Sequence, residues 1–562
     1  MKKIEKIVCG LCIIFLSSCV DLDLNPLAMG TNENWYSDEQ EITIALNDLY
    51  KPAFWSRIGE DWTDNEAYRN TNTSFVAGTI TGQDATVTGK WANLYKAIAR
   101  ANSILAAVDK IPAGKLTEVK KNTLKGEAFF IRAAMYSDLV FYFGDVPYTC
   151  EQIDIDEAFS MGRTAKEEVV KAIYAGFDQA IDLLPVETGA VQRATKGAAL
   201  ALKARFALYQ NDWATVVEAT NDCINLDKYK LYPDYGELFL STTHNTEESI
   251  FSLPRSVTDG VTLWADPYIT RNNGGWAASS PSWDLLASYT CTDGLPIDES
   301  PLFDPRDPFK NRDPRCNETI VPFGTEFLGF EYNPHPDALE VMNYSTGKMQ
   351  LNNDTKANTQ HASYNGLVWK KGVDDTWLLN GHRVEVDNII IRYADVLLMY
   401  AEAKIELGQI DDTVIKALNL VRARAYGVPL EDVKNYPEIE SMDQDKLRSI
   451  VRMERRMEFA RENSRYYDLI RWKIAEKALC VKSYGLLYPA ELLREKVTTK
   501  GLWFWGATPD IDENGIVDFS KLEEMGVIMP LIQRSFSTHQ YLWPIPTKEI
   551  LINENIKQNP GY

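Results

Sequence analysis

Apolar residues recur at helical spacing along several long segments. From Gly126 to Asp145 the run G-E-A-F-F-I-R-A-A-M-Y-S-D-L-V-F-Y-F-G-D is apolar nearly all round, as in a helix buried on every side, and Gly144-Asp145 with Pro147 stops it. Glu127, Arg132 and Asp138 argue against a membrane span, because each charge near a bilayer centre costs about 2.5 to 3.5 kcal/mol on insertion scales. Between Ala194 and Asp227 a small-residue helix through Ala201 and Ala204 reaches a turn at Asn211-Asp212-Trp213, and a second helix follows from Ala214 to Leu226. The same shape returns over Arg392 to Ala425, with its turn at Gly408-Gln409, and a third pair joins Trp91 to Val108 with Leu116 to Phe143. Units of roughly 34 residues with small side chains where two helices approach have the period and chemistry of tetratricopeptide-like helix pairs. The pattern predicts a mainly α protein, a tetratricopeptide-like helix-pair scaffold with long irregular loop insertions.

The scaffold is expected over about 36–232 and 388–480, with a loop-rich insertion at about 233–387 and an irregular C-terminal segment at 498–562, all in a single body spanning 19–562. The insertion is rich in Gly, Pro, Asn, Asp, Thr and Trp without a sustained 3.6-residue period, so loops and short strands are expected there. The composition adds weight to this region: 14 Trp, 27 Tyr and 21 Phe are many for a chain with 25% charged residues. Sugar rings present apolar C–H faces edged by hydroxyls, and flat aromatic side chains mixed with planar polar groups suit them. Trp264 to Asp293 has that mixture, with Tyr268, Arg271, Asn272, Asn273, Trp276, Trp283 and Tyr289 between its ends, as does Trp62-Thr63-Asp64-Asn65. Trp213 and Trp472, on helical stripes or turns, and Trp543, in Leu542-Trp543-Pro544, read as packing residues.

Charge narrows the field. The formal net charge of −21 repels phosphate backbones and disfavours nucleic acid as a partner. At the N-terminus Lys2, Lys3 and Lys6 precede an apolar run from Ile7 to Leu16, too short to span a bilayer and the right size for a secretory signal. It ends in Leu16-Ser17-Ser18-Cys19, a bacterial lipoprotein box, which predicts removal of residues 1–18 and lipidation of Cys19. The remaining cysteines, Cys150, Cys223, Cys291, Cys316 and Cys480, are odd in number and lack C-x-x-C spacing, so neither a disulfide framework nor a zinc knuckle is indicated.

No enzyme motif stands out. H-E-x-x-H and G-x-S-x-G are absent, the five histidines are scattered, and Trp91 occupies the position where a phosphate-binding loop ending in Gly89-Lys90 would need Ser or Thr. Asp510-x-Asp512-x-Asn514-Gly515 with Asp518 starts like a calcium loop, but Lys521 replaces the closing Glu, so a polar turn is expected and no metal is assigned. Arg448 to Trp472 carries many arginines interleaved with Glu454, Glu458 and Glu462. It reads as a structural helix whose pairs, such as Arg455 with Glu458 and Glu462 with Arg465, lie at i,i+3.

Several of these segments together resemble the SusD/RagB family: the lipobox followed by D-L-D-L-N-P at 21–26, the helix ending F-G-D-V-P at 143–147, R-Y-A-D-V-L-L-M-Y-A-E-A at 392–403, R-M-E-R-R-M-E-F-A-R-E-N-S-R-Y-Y-D-L-I-R-W-K at 452–473, and L-W-P-I-P at 542–546 leading to Q-N-P-G-Y at 558–562. The resemblance implies a surface-exposed outer-membrane lipoprotein, anchored through Cys19, with a SusD-like fold. It further implies a non-catalytic lid over a SusC-like TonB-dependent transporter, capturing oligosaccharides without a cofactor. A peptide-binding lid of the RagB kind and a surface glycoside hydrolase are the alternatives. By the family pattern the ligand residues fall at Trp91, which begins W-x-x-x-Y-x-x-I, and at Asp64 and Asn65 in the polar turn before it. Trp276, Trp283, Cys291 and Asp293 from the central loop and Tyr393 at the start of its motif helix complete the expected set.

Overall fold

The structure is a computed structural model that describes residues 36, 38–112, 114–188 and 193–562. The signal segment, Cys19 and the motif at 21–26 lie outside the described residues.

Helices follow one another as an array in which each packs on the next. Ala85–Lys110 packs on Glu118–Phe143, which packs on Lys166–Leu183; then come Lys196–Tyr209 and Trp213–Ile224. Local chemistry sets their ends. Asp84, Thr117, Thr195 and Asp212 each accept a first-turn backbone N–H, which satisfies donors the helix leaves open. Gly144, at φ 73°, closes Glu118–Phe143 in a conformation that side chains resist. The small residues serve close approach: Ala198, Ala199, Ala201 and Ala204 are fully buried, and a Cβ on Gly197 would meet the Tyr229 hydroxyl at 2.1 Å. Lys166–Leu183 has an amphipathic stripe through Val169, Ile173, Phe177 and Ala180 and adds a helix to the array beyond the pairs expected from sequence.

After Trp213–Ile224 the chain leaves the array and returns only at Tyr393–Glu406, which packs directly on Trp213–Ile224 and then on Asp412–Ala425 and Gln444–Glu458. The intervening stretch is closed at its neck by two antiparallel strands, Ser249–Leu253 and Asn388–Arg392. Inside it lie one two-stranded ribbon, Leu263–Trp264 with Arg383–Val384, and one four-stranded antiparallel sheet over 325–351. The C-terminal segment threads back into the scaffold. Trp543 is buried, stacks on Tyr142 at 4.4 Å and donates its indole N–H to the Tyr466 hydroxyl at 2.8 Å. Trp213 and Trp472 pack half-buried against the same core.

The arginine-rich run departs from its expectation. It is two helices, Gln444–Glu458 and Arg465–Arg471, separated by a turn in which Arg461 and Asn463 adopt φ of 64° and 56°. Its charges are not a solvated face: Glu454, Arg455, Arg456, Glu458, Arg465 and Arg471 are all buried. The local i,i+3 pairs give way to tertiary ones. Arg455 pairs with Asp395 at 2.9 Å and Asp468 at 3.1 Å, while Glu458 takes Arg315 at 3.0 Å, Arg392 at 2.7 Å and Arg424. A buried carboxylate needs several donors to offset the loss of water, and one helix cannot supply them.

Candidate functional site

A cleft of about 420 Å³ opens where four segments meet: 57–68, 238–268, 371–389 and 461–463. Two short ribbons position its walls. Glu66–Tyr68 pairs with Ser279–Pro281, and Leu263–Trp264 pairs with Arg383–Val384.

One wall is acidic. Glu60 accepts the side-chain amide of Asn65 at 3.1 Å and the backbone N–H of Asn463 at 3.0 Å, and burial pushes its carboxyl up to about 7. Glu66 accepts the Ser279 hydroxyl at 2.6 Å; burial, with Asp61 beside it, pushes its carboxyl up to about 8. The opposite wall is the turn after Gln444–Glu458. Lys371 donates to the carbonyls of Glu458 at 3.0 Å and Ala460 at 2.9 Å and to Glu462 at 2.6 Å, while burial draws its ammonium down to about 8. Arg392 grips both oxygens of Glu462 at 2.7 Å. So fixed, the turn holds the Arg461 guanidinium 5.0 Å from the ring centres of both Tyr268 and Trp377, donating to the Lys371 carbonyl.

Outside the cleft lining, on and next to the ribbon whose Leu263 lines it, is an aromatic rim. Trp264 and Trp276 are 40% and 36% exposed and meet edge to face at 4.7 Å and 87°. Asp266 ties this corner down, because its carboxylate accepts the Trp264 indole N–H and bonds the His382 ring, and its carbonyl accepts the Trp276 N–H at 2.7 Å. Tyr68 is 36% exposed and lines the cleft next to the rim. Exposed flat rings next to carboxyls, amides and guanidinium groups can stack a sugar face while bonding its hydroxyls.

The structure redistributes the residues expected from sequence. Trp276 stands on the rim. Asp64 is buried and holds Arg465 through two bonds at 2.8 Å and Arg456 at 3.0 Å, so it is committed to the scaffold. Asn65 is buried behind the acidic wall, bonding Glu60 and accepting from Arg456 at 3.0 Å; it supports the site without reaching it. Trp91 is 4% exposed, wedged against Tyr95 and Phe143, because its helix turns that face into the core. Trp283 is 1% exposed; it begins the helix Trp283–Ser288 and donates to the Asn365 carbonyl at 2.8 Å among Phe504 and Trp505. Neither ring is available as a platform. Cys291 is fully buried, and Asp293, though exposed, closes a turn by accepting from Leu295 N–H and the Ser300 hydroxyl. Tyr393 packs half-buried near Tyr229, on the helix array away from the cleft lining. Trp264 and Tyr268 had a sequence signal, lying in the same aromatic and Asn-rich stretch. Lys371 and Arg461 had none, since one sits in a loop and the other in what reads as a helix.

The Asp510–Asp518 stretch is a hairpin whose turn Asp512 closes by accepting the N–H groups of Asn514 and Ile516; among the described residues no cluster of three or more His, Cys, Asp or Glu is arranged to hold a metal ion.

The family model for the SusD family matches residues 247–562, and a second, described as starch-binding associating with outer membrane, matches 30–208. The SusD-like protein P25 of Formosa agariphila is 26% identical over 84% of this chain and 90% of its own length. A SusD-like protein of Bacteroides ovatus is 23% identical over 84% of this chain and 82% of its own. Among solved structures, a SusD-like carbohydrate binding protein from Bacteroides fragilis superposes with a TM-score of 0.75 at 29% identity, covering 93% of this chain and 99% of the other. With a family match over more than half its length and the same helical fold in that structure, this chain belongs to the SusD family.

Proposed function

We propose that this protein is a non-catalytic, cell-surface glycan-binding lipoprotein that captures oligosaccharides and acts as the lid of a SusC-like TonB-dependent transporter. The observation that carries the reading is the exposed Trp264 and Trp276 pair set beside a polar cleft. Large aromatics are mostly buried, so two adjacent indoles held open to solvent by a tethered carboxylate call for a ligand. The carbohydrate-binding description of the Bacteroides fragilis relative supports the same substrate class. In this reading Cys19 carries the lipid that holds the body at the outer membrane, the helix array faces the transporter, and the rim and cleft face the incoming glycan. Among the described residues no helix is long and apolar enough to cross a membrane.

Calorimetric titration of the detergent-purified protein against plant, microbial and host oligosaccharides and mixed peptides, with chromatography of the products, tests it. Saccharide binding without cleavage is expected. Binding of peptides alone would place it with RagB-type lids, and cleavage would make the cleft carboxyls catalytic. Replacing Cys19 with Ala should release the protein from membranes, and continued anchoring would remove the lipoprotein reading.

A further inference from the structure

The groups lining the cleft do not neutralise one another evenly. Glu462 is shared by Lys371 and Arg392. Asp387 stands 3.1 Å from His244, and Arg255 donates to the Val386 carbonyl at 2.6 Å beside it. Two guanidinium groups are left without an ion pair among the described residues. Arg57 bonds the Tyr209 hydroxyl at 3.2 Å and the Asn463 carbonyl at 3.1 Å, and Arg461 bonds the Lys371 carbonyl. Both line the cleft, and both are tied to the turn at 461–463. Each guanidinium has five N–H donors, so both forks keep donors free.

We propose that the cleft selects a saccharide bearing a carboxylate, a uronic acid unit, with that carboxylate seated on the Arg461 guanidinium and with neighbouring sugars on the Trp264 and Trp276 rim. The inference rests on the glycan-binding reading above. A partly desolvated cation held among aromatic rings, with Glu66 as its nearest carboxyl and no ion pair to it, gains more from an anion than a solvated one does, and a planar carboxylate matches the guanidinium fork. Burial draws Arg461 down to about 10, which leaves it charged at neutral pH. Rigidity favours it further: Lys371, Arg392, Glu60 and Arg57 all hold the turn, so little order is lost on binding.

The acidic wall does not defeat the anion. Glu66 faces Asp61, Glu60, Tyr268, the Ser279 hydroxyl and, more weakly, Arg461, and its carboxyl, like those of Glu60 and Asp61, is pushed up by burial. Near neutral pH Glu66 is therefore mostly protonated and Glu60 about half so, and a protonated carboxyl donates to a ligand oxygen instead of repelling it. Ionisation of Glu60 and Glu66, together with loss of charge at Lys371, whose ammonium burial draws down to about 8, should weaken uronate binding as pH rises through 8 and leave neutral sugars less affected.

The test is calorimetry on the detergent-purified full chain with oligogalacturonates and alginate oligomers, against neutral gluco-, xylo- and manno-oligosaccharides, a glucosamine oligomer and a sulfated galactan oligomer of matched length. Uronates are expected to bind about tenfold or more tighter than neutral sugars, in line with a charge-assisted pair. Arg461→Asn, which tolerates the left-handed backbone at this position, should lower uronate affinity far more than neutral-sugar affinity and so abolish that preference, and Arg461→Lys should recover part of it. Uronate affinity should fall from pH 6 to pH 8.5 in the parent and much less in Glu66→Gln. Equal affinity for neutral sugars, a preference for the amine or the sulfate ester, or an undiminished uronate preference in folded Arg461→Asn would overturn the proposal while leaving glycan capture standing. Failure to bind any saccharide would overturn both.

Discussion

At the scale of single residues, burial separates tryptophans that composition cannot tell apart. Trp276 and Trp283 lie seven positions apart in one aromatic, Asn-rich stretch, yet one is 36% exposed and the other 1%. Trp276→Ala is expected to weaken saccharide binding severalfold with a melting temperature within about 2 °C of the parent, since truncating an exposed ring leaves no cavity. Trp283→Ala should instead cost about 3 to 5 kcal/mol of stability, read by denaturant unfolding, because it empties a packed site and orphans the Asn365 carbonyl. If Trp276→Ala binds normally, the rim is not the site. Gly197 makes the same point in reverse: a sequence shows a small residue, but only packing shows that the Tyr229 ring needs the space.

At the scale of elements, the helix Gln444–Glu458 was legible and its role was not. Periodicity finds an apolar stripe and alternating charges, and local rules pair those charges along one helix. The fold spends them between elements: Glu454 takes Arg315 and Arg422, and Glu458 takes Arg315, Arg392 and Arg424, joining the insertion to the array. Breaking such a buried set strands charges, so Glu458→Ala should cost about 3 to 5 kcal/mol in urea unfolding. The partly exposed pair of Arg448 with Glu406 should be worth under about 1 kcal/mol by a double-mutant cycle. Comparable losses from both would mean the network carries no special load. The break at 459–464, which puts Arg461 into the cleft, has no Gly or Pro to announce it. It exists because Lys371, Arg392, Glu60 and Arg57 bond the turn from distant segments.

For the whole molecule, two populations of buried carboxyls pull stability in opposite directions with pH. Burial alone would raise Asp64, Asp395 and Glu458, but the arginines around each outweigh it and hold them below the usual carboxylate range. Their contribution is present above the unfolded pKa of about 4 and is lost as pH falls below it. Glu60 and Glu66 are raised to about 7 and about 8, so the folded state keeps protons there that the unfolded chain has lost, and stability falls as pH rises from about 5 to 8. The melting-temperature difference between Glu66→Gln and the parent should therefore grow in favour of the variant over that range, and a constant difference would show that Glu66 titrates normally.

The sequence by itself determined the helix pairs and their stacking class, because hydrophobic period, small-residue spacing, caps and family motifs are all local signals. The motifs at 143–147, 452–473 and 542–546 report scaffold contacts such as Trp543 on Tyr142, which is why they reveal the fold and not the ligand. Tertiary structure alone decided which aromatics face water and which charges remain unpaired. Exposure and neutralisation depend on neighbours hundreds of positions away, such as Asn463 against Glu60, and no local pattern encodes them.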